Sequence, residues 1–76
     1  MTELEWMDIF GDNLKEILKE ANMSQNDLAR KTGIERSTIS RYVNKICMPS
    51  LKSVINISYA LNCDLSDLID FGDKVY

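Results

Sequence analysis

Apolar positions in the first third of the chain recur at the three- and four-residue spacing of a helix: Phe10, Leu14, Ile17, Leu18 and Ala21. Ahead of them, Thr2 and Glu5 stand at the spacing of a capping box, in which two side chains satisfy each other's free backbone N–H groups. The pattern predicts a first helix that ends near Asn22, because asparagine tolerates the left-handed conformation at a helix C-terminus. Residues 2–9, with Leu4, Trp6, Met7 and Ile9, either extend this helix or form a separate turn. Ser24 caps a second helix over 25–32, with Asp27 placed where a negative charge favours the N-terminus, and Leu28 and Ala29 facing inward. Gly33 stops it by supplying the positive φ of a tight turn. A third helix starts at Glu35 or Arg36 and runs to Val43, with Ile34 and Ile39 in the core and Tyr42 half buried.

Pro49-Ser50 marks the next boundary. Ser50 caps a fourth helix with Leu51, Val54, Ile57, Ser58 and Leu61 inward, and Asn62 ends it. A short last helix with Leu68 and Ile69 opens at Ser66, or one turn earlier at Asp64, and Gly72 closes it. The expected fold is all-α: five helices around one core, in a compact single domain over 1–76. Residues 1–8 form an N-terminal extension and 71–76 a tail.

With 76 residues, the chain has room for one domain only. Such a chain buries about 60% of the surface it exposes when unfolded, so the core is thin. The composition, 45% hydrophobic and 28% charged, is that of a globular protein rather than a disordered one. No apolar run approaches the roughly 20 residues of a membrane span, and the acidic start Met1-Thr2-Glu3-Leu4-Glu5 lacks the basic region of a signal peptide. A cytoplasmic protein of bacterial or phage origin, associated with the nucleoid, is the expectation. Two cysteines, Cys47 and Cys63, and no histidine argue against a disulfide framework and against structural zinc. No cofactor and no metal are expected.

A net charge of −3 speaks at first against nucleic acid. The distribution reverses that reading. Residues 1–29 carry seven acids and two bases, and residues 53–76 four acids and one base. Between them, residues 30–52 carry Arg30, Lys31, Arg36, Arg41, Lys45 and Lys52 against Glu35 alone. A local basic surface of this kind suits phosphates, although a solvated charged face is the plain alternative.

The informative stretch is 24–44, SQNDLARKTGIERSTISRYVN. It predicts two short helices joined by a turn at Gly33-Ile34, with small Ala29 where helices approach closely. A helix-turn-helix uses this arrangement to project its second helix into a DNA major groove. The elements in order are Phe10-Gly11-x-x-Leu14, Ser24-Gln25-x-x-Leu28-Ala29, Gly33-Ile34, Ser37-Thr38-Ile39-Ser40-Arg41 and Pro49-Ser50-Leu51. Ala60-Leu61-Asn62 and Leu65-Ser66-Asp67-Leu68-Ile69 complete them. Together they resemble the lambda-repressor-like family of phage Cro and repressor domains.

The resemblance implies roles for particular residues. Arg36, Ser37, Thr38 and Arg41 match the face that touches base edges, where Arg donates two hydrogen bonds to guanine and the Thr methyl packs on a thymine methyl. Gln25 matches a residue that touches phosphate and braces a base-reading side chain. Asn26, Asn44, Lys45, Ser50 and Lys52 are expected on phosphates, with backbone N–H groups near Ser24 and Ser50. Some positions depart from the family. Lys45 stands where glycine is usual, and Glu35 where a Ser or Thr cap is common. Leu18 and Val43 replace a buried ion pair and are expected to touch.

Double-stranded DNA is therefore the expected partner, bound by a homodimer that represses by covering an operator. The N-terminal segment, the last helix or the tail is expected to form the dimer contact. The rival is a protein-interaction module on the same fold, such as an antitoxin or a partner-titrating regulator. Its candidate surface is Trp6, Met7, Tyr59, Phe71, Val75 and Tyr76. Catalysis has no support: histidine is absent, and no Ser or Cys lies in a nucleophile motif. The kinase-like tripeptide Asp70-Phe71-Gly72 lacks the glycine loop and catalytic loop that would give it meaning.

Overall fold

A computed structural model describes residues 2–69. Five helices follow one another: α1 Glu3–Glu20, α2 Gln25–Thr32, α3 Arg36–Val43, α4 Leu51–Leu61 and α5 Leu65–Leu68. Gly72, the tail and the candidates Phe71, Val75 and Tyr76 lie outside the described residues.

Four of the five helix starts are fixed by residues a few positions apart. Thr2 Oγ1 accepts from Glu5 N at 3.2 Å while the Glu5 carboxylate accepts from Thr2 N at 3.2 Å. Of the two readings the sequence left for residues 2–9, continuation of the first helix is the one formed, with α1 starting at Glu3. Ser24 and Asp27 make the same reciprocal cap on α2, and Ser50 caps α4 by accepting from Ser53 N. Asp64, rather than Ser66, opens α5 through a box with Asp67.

The ends of α1, α3 and α4 share one solution. A residue one or two positions past each end turns left-handed: Asn22 at φ 54°, Lys45 at 64° and Asn62 at 53°. The next N–H then reaches back to the last turn, Met23 N to Leu18 O at 2.9 Å, Ile46 N to Arg41 O at 2.9 Å and Cys63 N to Ser58 O at 3.0 Å. These are Schellman closures, which satisfy carbonyls that the helix leaves free. Asparagine suits the position. Lysine does not, and the contacts that hold Lys45 there are described below.

Every helix contributes to one core. Phe10, Leu14 and Leu18 of α1 meet Leu28 of α2, Ile39, Tyr42 and Val43 of α3, Val54, Ile57 and Leu61 of α4, and Leu68 of α5. Trp6 stacks on Phe10 with ring centroids 5.6 Å apart, and Tyr42 meets the same ring edge-on at 6.0 Å. Leu18 and Val43 are both buried in this cluster, where apolar packing needs no ion pair. Two expectations fail. Tyr42 is buried rather than half buried, because its ring closes over Phe10 while its hydroxyl reaches Ser53 Oγ at 3.4 Å. Leu51 is 72% exposed, not inward: as the first residue of α4 it precedes the turn whose inner face begins at Val54. Among the partly buried residues, Ile34 and Ala29 pack against the core edge.

Candidate nucleic-acid interface

The turn between α2 and α3 is fixed by four interactions. Gly33 takes φ 76°, and its N–H donates to Ala29 O at 2.9 Å. Thr32 Oγ1 donates to Leu28 O at 2.8 Å and accepts from Ile34 N at 3.1 Å. From α4, Asn56 Nδ2 donates to Thr32 O at 2.8 Å. Sequence reasoning missed Asn56, which has no local signal, since its partner lies across the fold. The same is true of Asn13, whose Nδ2 donates to Leu68 O at 2.8 Å and ties α1 to α5.

With Ile39, Tyr42 and Val43 buried, helical geometry turns Ser37 and Arg41 outward, and Arg36 is exposed as the first residue of α3. Arg36, Ser37, Arg41 and the following Asn44 are exposed, while Thr38 and Ser40 are half buried. Among the described residues neither Arg36 nor Arg41 makes an ion pair. Both guanidiniums are available to an external acceptor. Glu35 gives α3 no side-chain cap, and its carboxylate accepts a long, 3.5 Å contact from Ser37 Oγ. Asn44 Nδ2 donates to Ser40 Oγ at 3.2 Å. At the other end, the Tyr42 hydroxyl, Ser53 and Ser50 form a chain that ties the N-terminus of α4 to the second half of α3.

The remaining expected positions divide. Gln25 and Asn26 are the first two residues of α2, and Gln25, half buried, makes no side-chain hydrogen bond to α3 among the described residues. Ser50 caps α4 with its hydroxyl, and Lys52 is exposed without an ion pair among the described residues. Lys45, expected on a phosphate, instead places Nζ 2.7 Å from Asp8 and 2.8 Å from Asp12, both on α1. Hydrogen bonds to Asp12 and then Asp8 push its pKa above the ordinary 10.5. Its aliphatic stem also lies against Gly11, where a Cβ would sit 2.8 Å from Lys45 Cγ. Arg30 is paired as well, with Asp27, whose carboxyl is held below its ordinary range by the Ser24 backbone N–H first and by Arg30 second. Of the six bases in the central window, Lys31, Arg36, Arg41 and Lys52 are exposed and free of ion pairs among the described residues.

An α3 buried on one side and carrying two arginines that make no ion pair among the described residues, held by a glycine turn behind a capped α2, is helix-turn-helix geometry. The chain matches the family model of the Cro/C1-type HTH DNA-binding domain over residues 13–74. It belongs to that family. The Cro/C1-type domain is a DNA-binding unit of transcriptional regulators, not an enzyme. The chain is 33% identical over 70 residues to YqaE, an HTH-type transcriptional regulator of Bacillus subtilis, covering 90% of this chain and 60% of that protein. It is 31% identical over 61 residues to an HTH-type transcriptional regulator of Archaeoglobus fulgidus, covering 80% of this chain and 86% of the relative. The chain thus spans less than two thirds of the first of these. No solved structure matches it. Among the described residues, no helix is long and apolar enough to cross a membrane.

Proposed function

We propose that this Cro/C1-type domain reads a specific double-stranded DNA sequence through α3 and represses transcription by occupying an operator as a two-fold dimer. The observation that carries the reading is the pair of exposed guanidiniums, Arg36 at the start of α3 and Arg41 on its outward side, neither in an ion pair among the described residues, on a helix whose other side is buried. They lie five residues apart, on the first and second turns of α3. An arginine in a major groove discriminates guanine by a bidentate contact. Ser37 and Thr38 add a hydroxyl and a methyl beside them. Gln25, Asn26, Asn44, Ser50 and Lys52 supply phosphate contacts around this face, and Lys31 adds charge. Lys45 joins them only by leaving Asp8 and Asp12.

Two copies related by a two-fold axis read half-sites about 34–36 Å apart, and a bound pair excludes polymerase from the DNA it covers. Selection of bound sequences from random duplex DNA tests the reading. A symmetric motif with one-turn spacing is the expected result. Arg41→Ala is expected to cost about 1–3 kcal/mol at one base position per half-site and to leave the fold intact. A chain that selects no motif, or an Arg41→Ala variant that selects the same one, overturns the assignment. A reporter that is activated rather than silenced removes the repressor role alone.

A further inference from the structure

Leu51, Ile55 and Tyr59 stand four residues apart along α4 and form one stripe on its outer face. Leu51 is 72% and Tyr59 82% exposed, and Met48, Ile55 and Leu65 each expose more than a third of their surface. Leu51, Ile55, Tyr59 and Leu65 make one patch. Leu65 lines a hollow with Ile55 and Tyr59 on one side, and a second hollow with Trp6, Pro49, Leu51, Val54 and Ile69 on the other. The second hollow carries no charged side chain and has a volume of about 160 Å³. A dry apolar cavity of about 150 Å³ holds one benzene-sized ring.

We infer that this face is the contact between two copies of the chain, with Ile55 near the two-fold axis and the Tyr59 ring of each copy seated in the Trp6–Leu51–Leu65 hollow of the other. The proposal rests on the dimeric reading above and gives it a surface. Three arguments single out a second copy. An isologous interface needs a patch that complements itself, and here a protruding ring and a ring-sized hollow occupy opposite ends of one stripe. Ile55 is four residues from both Leu51 and Tyr59, about 6 Å of rise each way, so a two-fold axis at Ile55 brings each ring over the other hollow. The area fits a weak dimer. At ordinary side-chain sizes Leu51, Ile55, Tyr59 and Leu65 expose roughly 450 Å² per copy, so two copies cover about 900 Å², in the range of transient interfaces. The sequence reading turned Leu51 inward, named the N-terminal segment, the last helix or the tail for the dimer contact, and offered Tyr59 only as part of a protein-partner surface.

Sedimentation of the full chain without DNA tests this directly. The wild type is expected to pass from monomer to dimer at micromolar concentration. Leu51→Arg and Tyr59→Arg, at the two ends of the stripe, are each expected to weaken association at least tenfold with unchanged helical circular dichroism. Tyr59→Phe, which keeps the ring, is expected to dimerise. Trp6 is the only tryptophan and lines the receiving hollow, so its emission is expected to shift to the blue with concentration in the wild type and not in Tyr59→Arg. A wild type that stays monomeric at high micromolar concentration overturns the proposal, and the face then belongs to a different protein. A dimer that survives both arginine variants overturns it equally. DNA selection reports separately: a recovered motif with an unaffected dimer sinks only the interface, and a dimer lost in the variants without any motif sinks only the DNA reading.

Discussion

Replacing Gly11 by alanine sets two effects against each other, and the structure decides the sign. Gly11 lies in the interior of α1, where alanine is favoured over glycine by about 1 kcal/mol. At an open helix position the substitution therefore stabilises. Here an added Cβ would stand 2.9 Å from Tyr42 O and 3.2 Å from Val43 O. Both are backbone atoms at the exit of α3, and Tyr42 O already accepts the Lys45 N–H at 3.2 Å. They cannot swing aside as a flexible side chain would. The Lys45 stem, 2.8 Å from the same Cβ, would have to leave as well. Overpacking of this kind costs about 2–3 kcal/mol. Subtracting the helix-propensity gain leaves a net loss of about 1–2 kcal/mol. For a domain of this size that lowers Tm by roughly 4–16 °C. Thermal unfolding followed by far-ultraviolet circular dichroism measures it, with two-state behaviour checked by calorimetry. The displacement bears on the end of α3, so affinity for a selected DNA site is expected to fall beyond the loss of folded protein. A Gly11→Ala variant with a raised Tm would refute the reasoning, because propensity alone would then be acting.

Other expectations follow from single contacts. Gly33→Ala meets no atom within 4 Å but keeps φ near 76°, so the loss is conformational, about 1–2 kcal/mol by chemical denaturation, with an unchanged m-value. Replacing both Asp8 and Asp12 by Asn releases Lys45, and binding to duplex DNA is expected to tighten while the slope of log K against log salt steepens by about 1. A slope that does not move would assign Lys45 a purely structural place. Because the folded-state pKa of Lys45 is raised, its contribution to stability is complete below the ordinary 10.5 and is lost as pH climbs through the higher folded value. The Tm gap between wild type and Lys45→Met is accordingly constant from neutral pH to about 10 and closes only above it. The depressed Asp27 carboxyl works in the opposite direction. Its contribution is present above the ordinary 3.8 and disappears as pH falls through the lower folded value, so Asp27→Asn and wild type converge in Tm only below that ordinary value.

Local chemistry made the helices legible in the sequence. Caps at Thr2, Ser24 and Ser50, the left-handed Asn22, Gly33 and Asn62, and the apolar spacing within each helix are determined by residues a few positions apart, which a sequence displays directly. The outward side of Ser37 and Arg41 followed from the same periodicity once Ile39 is fixed inward, whereas Arg36, three residues before Ile39, is exposed because it begins the helix. Tertiary structure alone decided which polar groups are taken and which are free. Asn13 and Asn56 find carbonyls 55 and 24 residues away, and Lys45 finds two carboxylates on α1. It also left Leu51, Ile55 and Tyr59 uncovered, because a helix pattern names an apolar residue but not whether a neighbour arrives to cover it. Capping and periodicity act within one or two turns of chain. Pairing and burial depend on groups brought together only when the helices pack.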